Sequence, residues 1–280
     1  TSDGVPLNRD IAMEKASAAQ FPDASRFGGG SAWSTPAIDP KLGLLYFGTG
    51  NPSPQMNDIS RPGDNLYTVS LVALDADTGK LRWHYQQVPH DLWGYDLASP
   101  PVLFNLRRDG RDIPVVGEAG KTGWFYVHDR STGELLLKSE AFVPQSNLFA
   151  KATPEGTRIF PGILGGANWS PIAVDESSQQ VFIAGIHAPI NYTLHETPAK
   201  DGNPAIRYAA SEPIDEARWG TLTSIDLTNG KIRWQKKTDQ PLVGGVLATA
   251  GGLLFMGEGN GNLNAYDTSN GALLWQTRTD

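Results

Sequence analysis

The chain has 280 residues, 39% hydrophobic and 19% charged, which supports a packed core and excludes wholesale disorder. It contains no cysteine, so a disulfide framework, a thiolate zinc site and a CxxCH haem attachment are excluded within this span. A net charge of −7 without any basic run argues against a nucleic-acid or anionic-membrane partner, and no apolar stretch approaches the ~18 residues of a membrane span. No signal peptide is present within this span, and the first residue is Thr rather than Met, which predicts a processed chain or a piece of a longer one.

The 31 glycines and 20 prolines favour many short strands joined by turns. In chain order, SAWSTPAID and LGLLYFGTG read as a strand pair, and LVALDADTGKLRWHYQ from Leu71 follows as a hairpin. The same hairpin frame returns in FYVHDRSTGELLLKSE from Phe125. NWSPIAVD and QQVFIAGI form the next strand pair, with LTSIDLTNGKIRWQKK from Leu222 as their hairpin. GGVLATA and GGLLFMGEG then lead into LNAYDTSNGALLWQTR from Leu263. Each hairpin places Gly four residues after Asp, at Asp75/Gly79, Asp129/Gly133, Asp226/Gly230 and Asp267/Gly271. Asp with Thr or Asn ties the turn, and Gly supplies the positive φ that the turn requires. Three copies carry Trp at +8 from the Asp, at Trp83, Trp234 and Trp275, while the second has Leu137. This shared position predicts that the three indoles are largely buried against the next unit.

Strand pair plus hairpin makes a four-stranded antiparallel unit, and its repetition predicts an all-β chain folded as a β-propeller. The blades fall at roughly 30–87, 96–141, 166–238 and 240–280, with a strand pair legible ahead of three of the four hairpins. Residues 1–29 lack the pattern and read as a linker or partial blade. Four blades close a small propeller or form half of a larger one.

Antiparallel strands alternate direction, so the connections between second and third strands, and those from one blade to the next, share one face. The long excursions Asn51–Thr68 and Ala188–Trp219 are of the first kind, and His90–Pro101 is of the second. Elaborated loops carry function more often than short turns do. On that face parity places Trp33, Asn51, Asp91, Trp93, Asp96, Lys121 and the pair Asn168–Trp169. Together they describe a wide, shallow ligand site with a cation and an aromatic platform. Each has a plainer reading beside that one: blade packing for a tryptophan, a turn for an Asn after Gly, and a solvated loop for Lys121 and Asp96. His84, His128, His187 and His195 have no metal spacing, and His90 is expected to fix its loop by a hydrogen bond. No GxSxG nucleophile elbow is present.

FGGGSAW, YFGTGNPSP, RPGDNLYT, VALDADTGKLRWHYQ, PHDLWGYD and GGANW occur in this order. The set resembles the pyrroloquinoline quinone (PQQ) dependent alcohol dehydrogenases, the methanol dehydrogenase-like quinoproteins, over roughly residues 28–280. The resemblance implies about four blades, the later half of an eight-bladed propeller with tryptophan-docking repeats. It also implies a periplasmic location, PQQ on the propeller axis, and bound calcium or a lanthanide. The implied reaction is oxidation of a small alcohol, with electrons leaving to an acceptor such as a cytochrome c or a membrane quinone. Carried over by motif, Trp33 is the floor under the flat quinone and Asn51 an amide ligand of the metal. Lys121 stands against the quinone oxygens, and Asn168, with Trp169 beside it, bonds the cofactor's edge.

One departure bears on catalysis. The family motif PHD-x-W-D ends on the acid that takes the alcohol's proton, and that position here is Gly94. Asp96 lies two residues on, where relatives with an Asp use it as an additional lanthanide ligand, so Asp96 is the candidate for base and metal ligand. The family's acidic ligand from an earlier blade is not in this sequence, and Asp64 in RPGDN has loop geometry as its expected role. Gly94 keeps a second reading open, a non-catalytic propeller of the same family that binds the cofactor or a protein partner. A structural propeller that scaffolds other proteins is a third.

Overall fold

A computed structural model describes residues 29–32, 34–57, 61–202 and 206–279. The strands, in chain order, are β1 (Ala37–Asp39), β2 (Leu44–Gly48), β3 (Ser70–Asp75), β4 (Leu81–Gln86), β5 (Val102–Arg108), β6 (Arg111–Ala119), β7 (Phe125–Asp129) and β8 (Leu135–Lys138). They continue as β9 (Thr157–Ile159), β10 (Ala173–Asp175), β11 (Gln180–His187), β12 (Ile190–Thr197), β13 (Ile206–Pro213), β14 (Trp219–Asp226) and β15 (Ile232–Thr238). The last four are β16 (Val246–Ala248), β17 (Leu253–Gly257), β18 (Asn262–Asp267) and β19 (Leu273–Arg278).

Four antiparallel sheets, β1-β2-β3-β4, β5-β6-β7-β8, β10-β11-β14-β15 and β16-β17-β18-β19, are the blades. Their first strands β1, β5, β10 and β16 neighbour one another in succession, as inner strands around a propeller axis do. Apolar clusters lie between successive blades; Tyr46, Leu71, Trp83 and Val116 join the first to the second, and Val127, Ile183 and Ile225 the second to the third. Among the described residues no helix is long and apolar enough to cross a membrane.

The repeated Asp–Gly frame has one local structure in every blade. The Asp carboxylate accepts backbone N–H groups two or three residues on: Asp75 from Thr78, Asp129 from Ser131, Asp226 from Thr228 and Asp267 from Ser269. Gly79, Gly133, Gly230 and Gly271 follow at φ between 67° and 77°. A register shift just ahead of each Asp bends the outer hairpin toward its neighbour. Trp83 then donates Nε1–H to the Arg130 carbonyl at 2.9 Å, and Trp234 does the same to Thr268 at 2.9 Å. Both acceptors directly follow the Asp of the next blade. A Cβ on Gly133 or Gly271 would sit 2.6 Å from the docked indole, so the frame's glycine also makes room for the ring.

Three expectations change against this architecture. Trp275 is 49% exposed, not buried, because no further blade follows it among the described residues, whereas Trp83 is buried and Trp234 half-buried. The second blade, where no leading strand pair was read, has β5 and β6 joined by an Asp109–Gly110 turn with both residues at positive φ. The excursion Ala188–Trp219 is not merely a loop: β12 and β13 form a hairpin, and β12 also pairs with β9 to make a separate three-stranded sheet. That sheet packs over the loop after β4. The Tyr192 hydroxyl donates to the Leu92 carbonyl, and Ala209 N–H donates to the Met56 carbonyl at 3.0 Å.

Candidate active site

The loop after β4, His90–Pro101, is organised by one buried acid. Asp91 is fully buried, and its carboxylate accepts the backbone N–H groups of Trp93, Gly94 and Tyr95 at 3.0–3.2 Å. Burial pushes its carboxyl up from the ordinary value, and those N–H groups and the Arg61 guanidinium pull the other way. Arg61 holds the loop from outside by donating Nη2–H to the Asp91 carbonyl at 2.6 Å and Nε–H to the Pro54 carbonyl at 2.8 Å. His90 Nδ1 lies 2.7 Å from the Gly63 carbonyl, the loop-fixing contact expected of it, and Asp64 accepts His90 N–H through its carbonyl.

Gly94 turns the chain at φ +79°, and a Cβ there would meet Gln55 Nε2 at 2.2 Å. An aspartate at this position would therefore need both the left-handed backbone and movement of Gln55. The turn delivers Asp96 inward. Asp96 is buried, and its Oδ1 accepts Lys121 Nζ, while the same ammonium donates to the Gly94 carbonyl at 3.0 Å. The solvated-loop reading of either residue is therefore overturned. Asp96 Oδ2 is buried with no hydrogen-bond partner among the described residues.

The remaining candidates surround this pair to different degrees. Lys121 accepts Gly166 N–H at 2.6 Å, and two residues further on Asn168 donates Nδ2–H to the Leu164 carbonyl at 3.1 Å. Asn168 Oδ1 is buried without a partner among the described residues. Asn51 is half-buried and uses Nδ2–H on the Pro52 carbonyl at 3.0 Å. Its segment is tied to the loop by Leu97 N–H donating to the Thr49 carbonyl at 3.1 Å. Trp169 is 46% exposed. Trp33 lies outside the described residues.

Sequence reasoning missed Glu118, at the end of β6. It is fully buried, accepts Gln87 Nε2–H at 2.6 Å on Oε2, and leaves Oε1 unpartnered. Burial first, and then the Asp96 charge, push its carboxyl up to about 8, against the pull of Gln87. The available signal was a lone Glu among apolar residues in VVGEAG, three positions before Lys121.

Among the described residues no group of three or more His, Cys, Asp or Glu is placed to hold a metal ion. Asn51 and Asp96 offer few oxygens against the ~6–8 that calcium takes, and Asp96 already answers to Lys121. These side chains alone do not make a metal shell. They do suit an oxygen-rich organic ligand, since the Lys121 ammonium sits on Asp96, whose second oxygen is orphaned among the described residues, and Gly166, two residues before Asn168, is bonded to the Lys121 backbone.

Comparison with known proteins matches residues 9–153 and 139–280 to the family described as "PQQ: Glucose/ethanol/alcohol dehydrogenase, beta-propeller domain". The chain is 30% identical over 285 residues to the quinoprotein alcohol dehydrogenase PedH of Pseudomonas putida, covering 94% of this chain and 48% of that protein. The lanthanide-dependent methanol dehydrogenase of Methylorubrum extorquens is 30% identical over 293 residues, covering 95% and 48%. In structure, the quinohemoprotein alcohol dehydrogenase of Comamonas testosteroni superposes with a TM-score of 0.83 at 30% identity, over 98% of this chain and 46% of that one. A europium-containing methanol dehydrogenase superposes with a TM-score of 0.77 at 31% identity, over 90% and 47%. The chain thus spans about half the length of the relatives it matches.

Proposed function

The chain belongs to the PQQ glucose/ethanol/alcohol dehydrogenase β-propeller family, and from that premise we propose that the whole protein is a periplasmic quinoprotein dehydrogenase oxidising a small alcohol. The observation that carries this reading is the buried Lys121–Asp96 pair, whose Asp96 has a second oxygen left without a hydrogen-bond partner among the described residues. Bound PQQ supplies the two-electron acceptor. Lys121 donates hydrogen bonds to oxygens that gain charge as the acceptor is reduced, and being fixed by Gly94 and Asp96 it needs little reorganisation to do so. By motif, Asn168 and Trp169 would contact the bound cofactor's edge and Trp33 would stack on it. Asp96 Oδ2 takes the hydroxyl proton. Its other oxygen, Oδ1, stays on the Lys121 ammonium, which fixes the carboxylate in place.

The donor set of this chain does not complete a metal shell, and no step is assigned to one. Asn51 and Asp96 remain the oxygens this half would lend to calcium or a lanthanide. Electrons leave to an acceptor such as a cytochrome c or a membrane quinone. The test is dye-linked oxidation of an alcohol panel by full-length protein reconstituted with PQQ and with calcium or a lanthanide. Loss of turnover in Asp96→Asn with quinone binding retained supports the assignment, and no turnover with any metal sinks it.

Gly94 favours the second reading, a propeller that binds PQQ or a protein partner without turning over. Gly94→Asp combined with Gln55→Ala removes the contact that a side chain at 94 would make. Turnover appearing only in that double variant identifies a binding protein that lacks its base.

A further inference from the structure

Gln55, in the excursion between β2 and β3, has no task in the dehydrogenase reading. Its backbone is pinned on both sides: the Pro54 carbonyl accepts Arg61 Nε–H at 2.8 Å, and the Met56 carbonyl accepts Ala209 N–H at 3.0 Å. Its side chain is exposed, and its amide makes no hydrogen bond among the described residues. That amide nevertheless has a fixed neighbour. It lies against Gly94, with Nε2 in the space that a Cβ at position 94 would take and Ile163 Cγ1 3.2 Å from the same point. Gly94 in turn gives its carbonyl to Lys121, the ammonium that holds Asp96.

Gly94 and Gln55 therefore form one arrangement: the glycine has no side chain, and a neutral amide from another loop stands where that side chain would begin. An amide carries no charge, and it both donates through N–H and accepts through its carbonyl. A hydroxyl has the same double capacity, whereas a hydrocarbon would displace the amide's water without replacing its hydrogen bonds. A carboxylate on the ligand would add negative charge beside Asp96, whose own charge Lys121 already balances. Ile163 supplies an apolar wall for a short carbon chain. We propose that Gln55 is a specificity-determining residue that binds a second hydroxyl of the substrate, which makes a short neutral diol the favoured class over a plain alkanol. This rests on the dehydrogenase reading, with the first hydroxyl at Asp96 Oδ2, and adds the contact that selects the class.

Propylene glycol and n-propanol, which differ by one hydroxyl, are the probes. Their affinities are measured by saturation-transfer NMR titration on the full-length protein loaded with PQQ, with no electron-accepting dye present, so the readout does not depend on sustained turnover. The diol is expected to bind at least about fivefold more tightly than n-propanol, and Gln55→Leu to bring that ratio to about one. Gly94→Ala, whose methyl group takes the place of the amide, is expected to lower the ratio in the same direction. Its thermal transition reports folding, and Gln55→Leu, at an exposed position, carries the test if Gly94→Ala fails to fold. Collapse of the diol preference in Gln55→Leu supports the proposal even where no turnover is found. Turnover of both alcohols with equal affinities, or a preference unmoved by Gln55→Leu, overturns it and leaves the dehydrogenase reading standing. A protein that binds neither alcohol overturns it together with that reading.

Discussion

Lys121 and Asp96 are both withdrawn from water, so each depends on the other for compensation. Removing one partner from such a pair typically costs about 3–5 kcal/mol, because the survivor is left as a buried charge. Lys121→Met is expected to lower the unfolding free energy in urea by that order. The double variant Lys121→Met/Asp96→Asn should lose less than the sum of the two single losses, and strict additivity would show that the pair is not coupled. Glu118 imposes a pH dependence of the opposite sense to an ordinary ion-paired acid. Its folded carboxyl is pushed up to about 8, so between the ordinary value of 4.5 and about 8 the folded chain holds a proton that the unfolded chain has released. The unfolded state then binds fewer protons, and stability falls as pH rises through that window. Glu118→Gln, which keeps the Gln87 contact available, should flatten the slope and raise stability near pH 8 relative to wild type. Denaturation midpoints at pH 5 and pH 8 decide it.

The blade-to-blade tryptophan is one element with two different energetic values in this chain. Trp83 is buried with its indole N–H satisfied, and Trp83→Ala should cost about 3–5 kcal/mol. Trp275 has the same place in its blade but half of it faces solvent, so Trp275→Ala should stay within about 0.5 kcal/mol in this chain. Equal losses at the two sites would show that the seam contributes nothing. The hairpin β12–β13 works on a different element, the loop that presents Asp96. Tyr192→Phe removes the hydroxyl that bonds Leu92 and should cost about 1 kcal/mol, with faster amide exchange at Gly94 and Tyr95. Unchanged exchange there would mean that the loop is held by Asp91 alone.

On the scale of the whole molecule, the last blade presents Leu273, Leu274 and Trp275 together, each about half exposed. Three large apolar side chains this exposed on one strand are unusual on a free surface. Residues 1–280 expressed alone are expected to bind a hydrophobic dye and to self-associate, and Leu274→Lys with Trp275→Arg should suppress both. A monomeric chain silent to the dye would show that this face is covered within the chain. The family relatives are about twice as long, which agrees with four blades forming part of a larger ring.

The repeat was legible because turn chemistry is local. Asp, then Gly four residues later, needs only its own carboxylate, its own N–H groups and a positive φ, so four copies announced four hairpins and hence an all-β propeller. The ordered motifs likewise led to the family and pointed to Lys121 and Asp96. The second blade's leading pair was hidden because RRDGRD, Pro114 and Gly117 break the apolar alternation in β5 and β6, although the Asp109–Gly110 turn was itself local. What tertiary structure alone decided is everything that depends on burial and on partners distant in sequence. Asp96 and Lys121, 25 residues apart, are a buried pair only because the loop after β4 folds back beneath the second blade's β6–β7 turn. Glu118 became an acid of raised proton affinity only by losing water. Trp275, identical in its motif to Trp83, stayed exposed because a docking residue is buried by its neighbour and not by its own sequence.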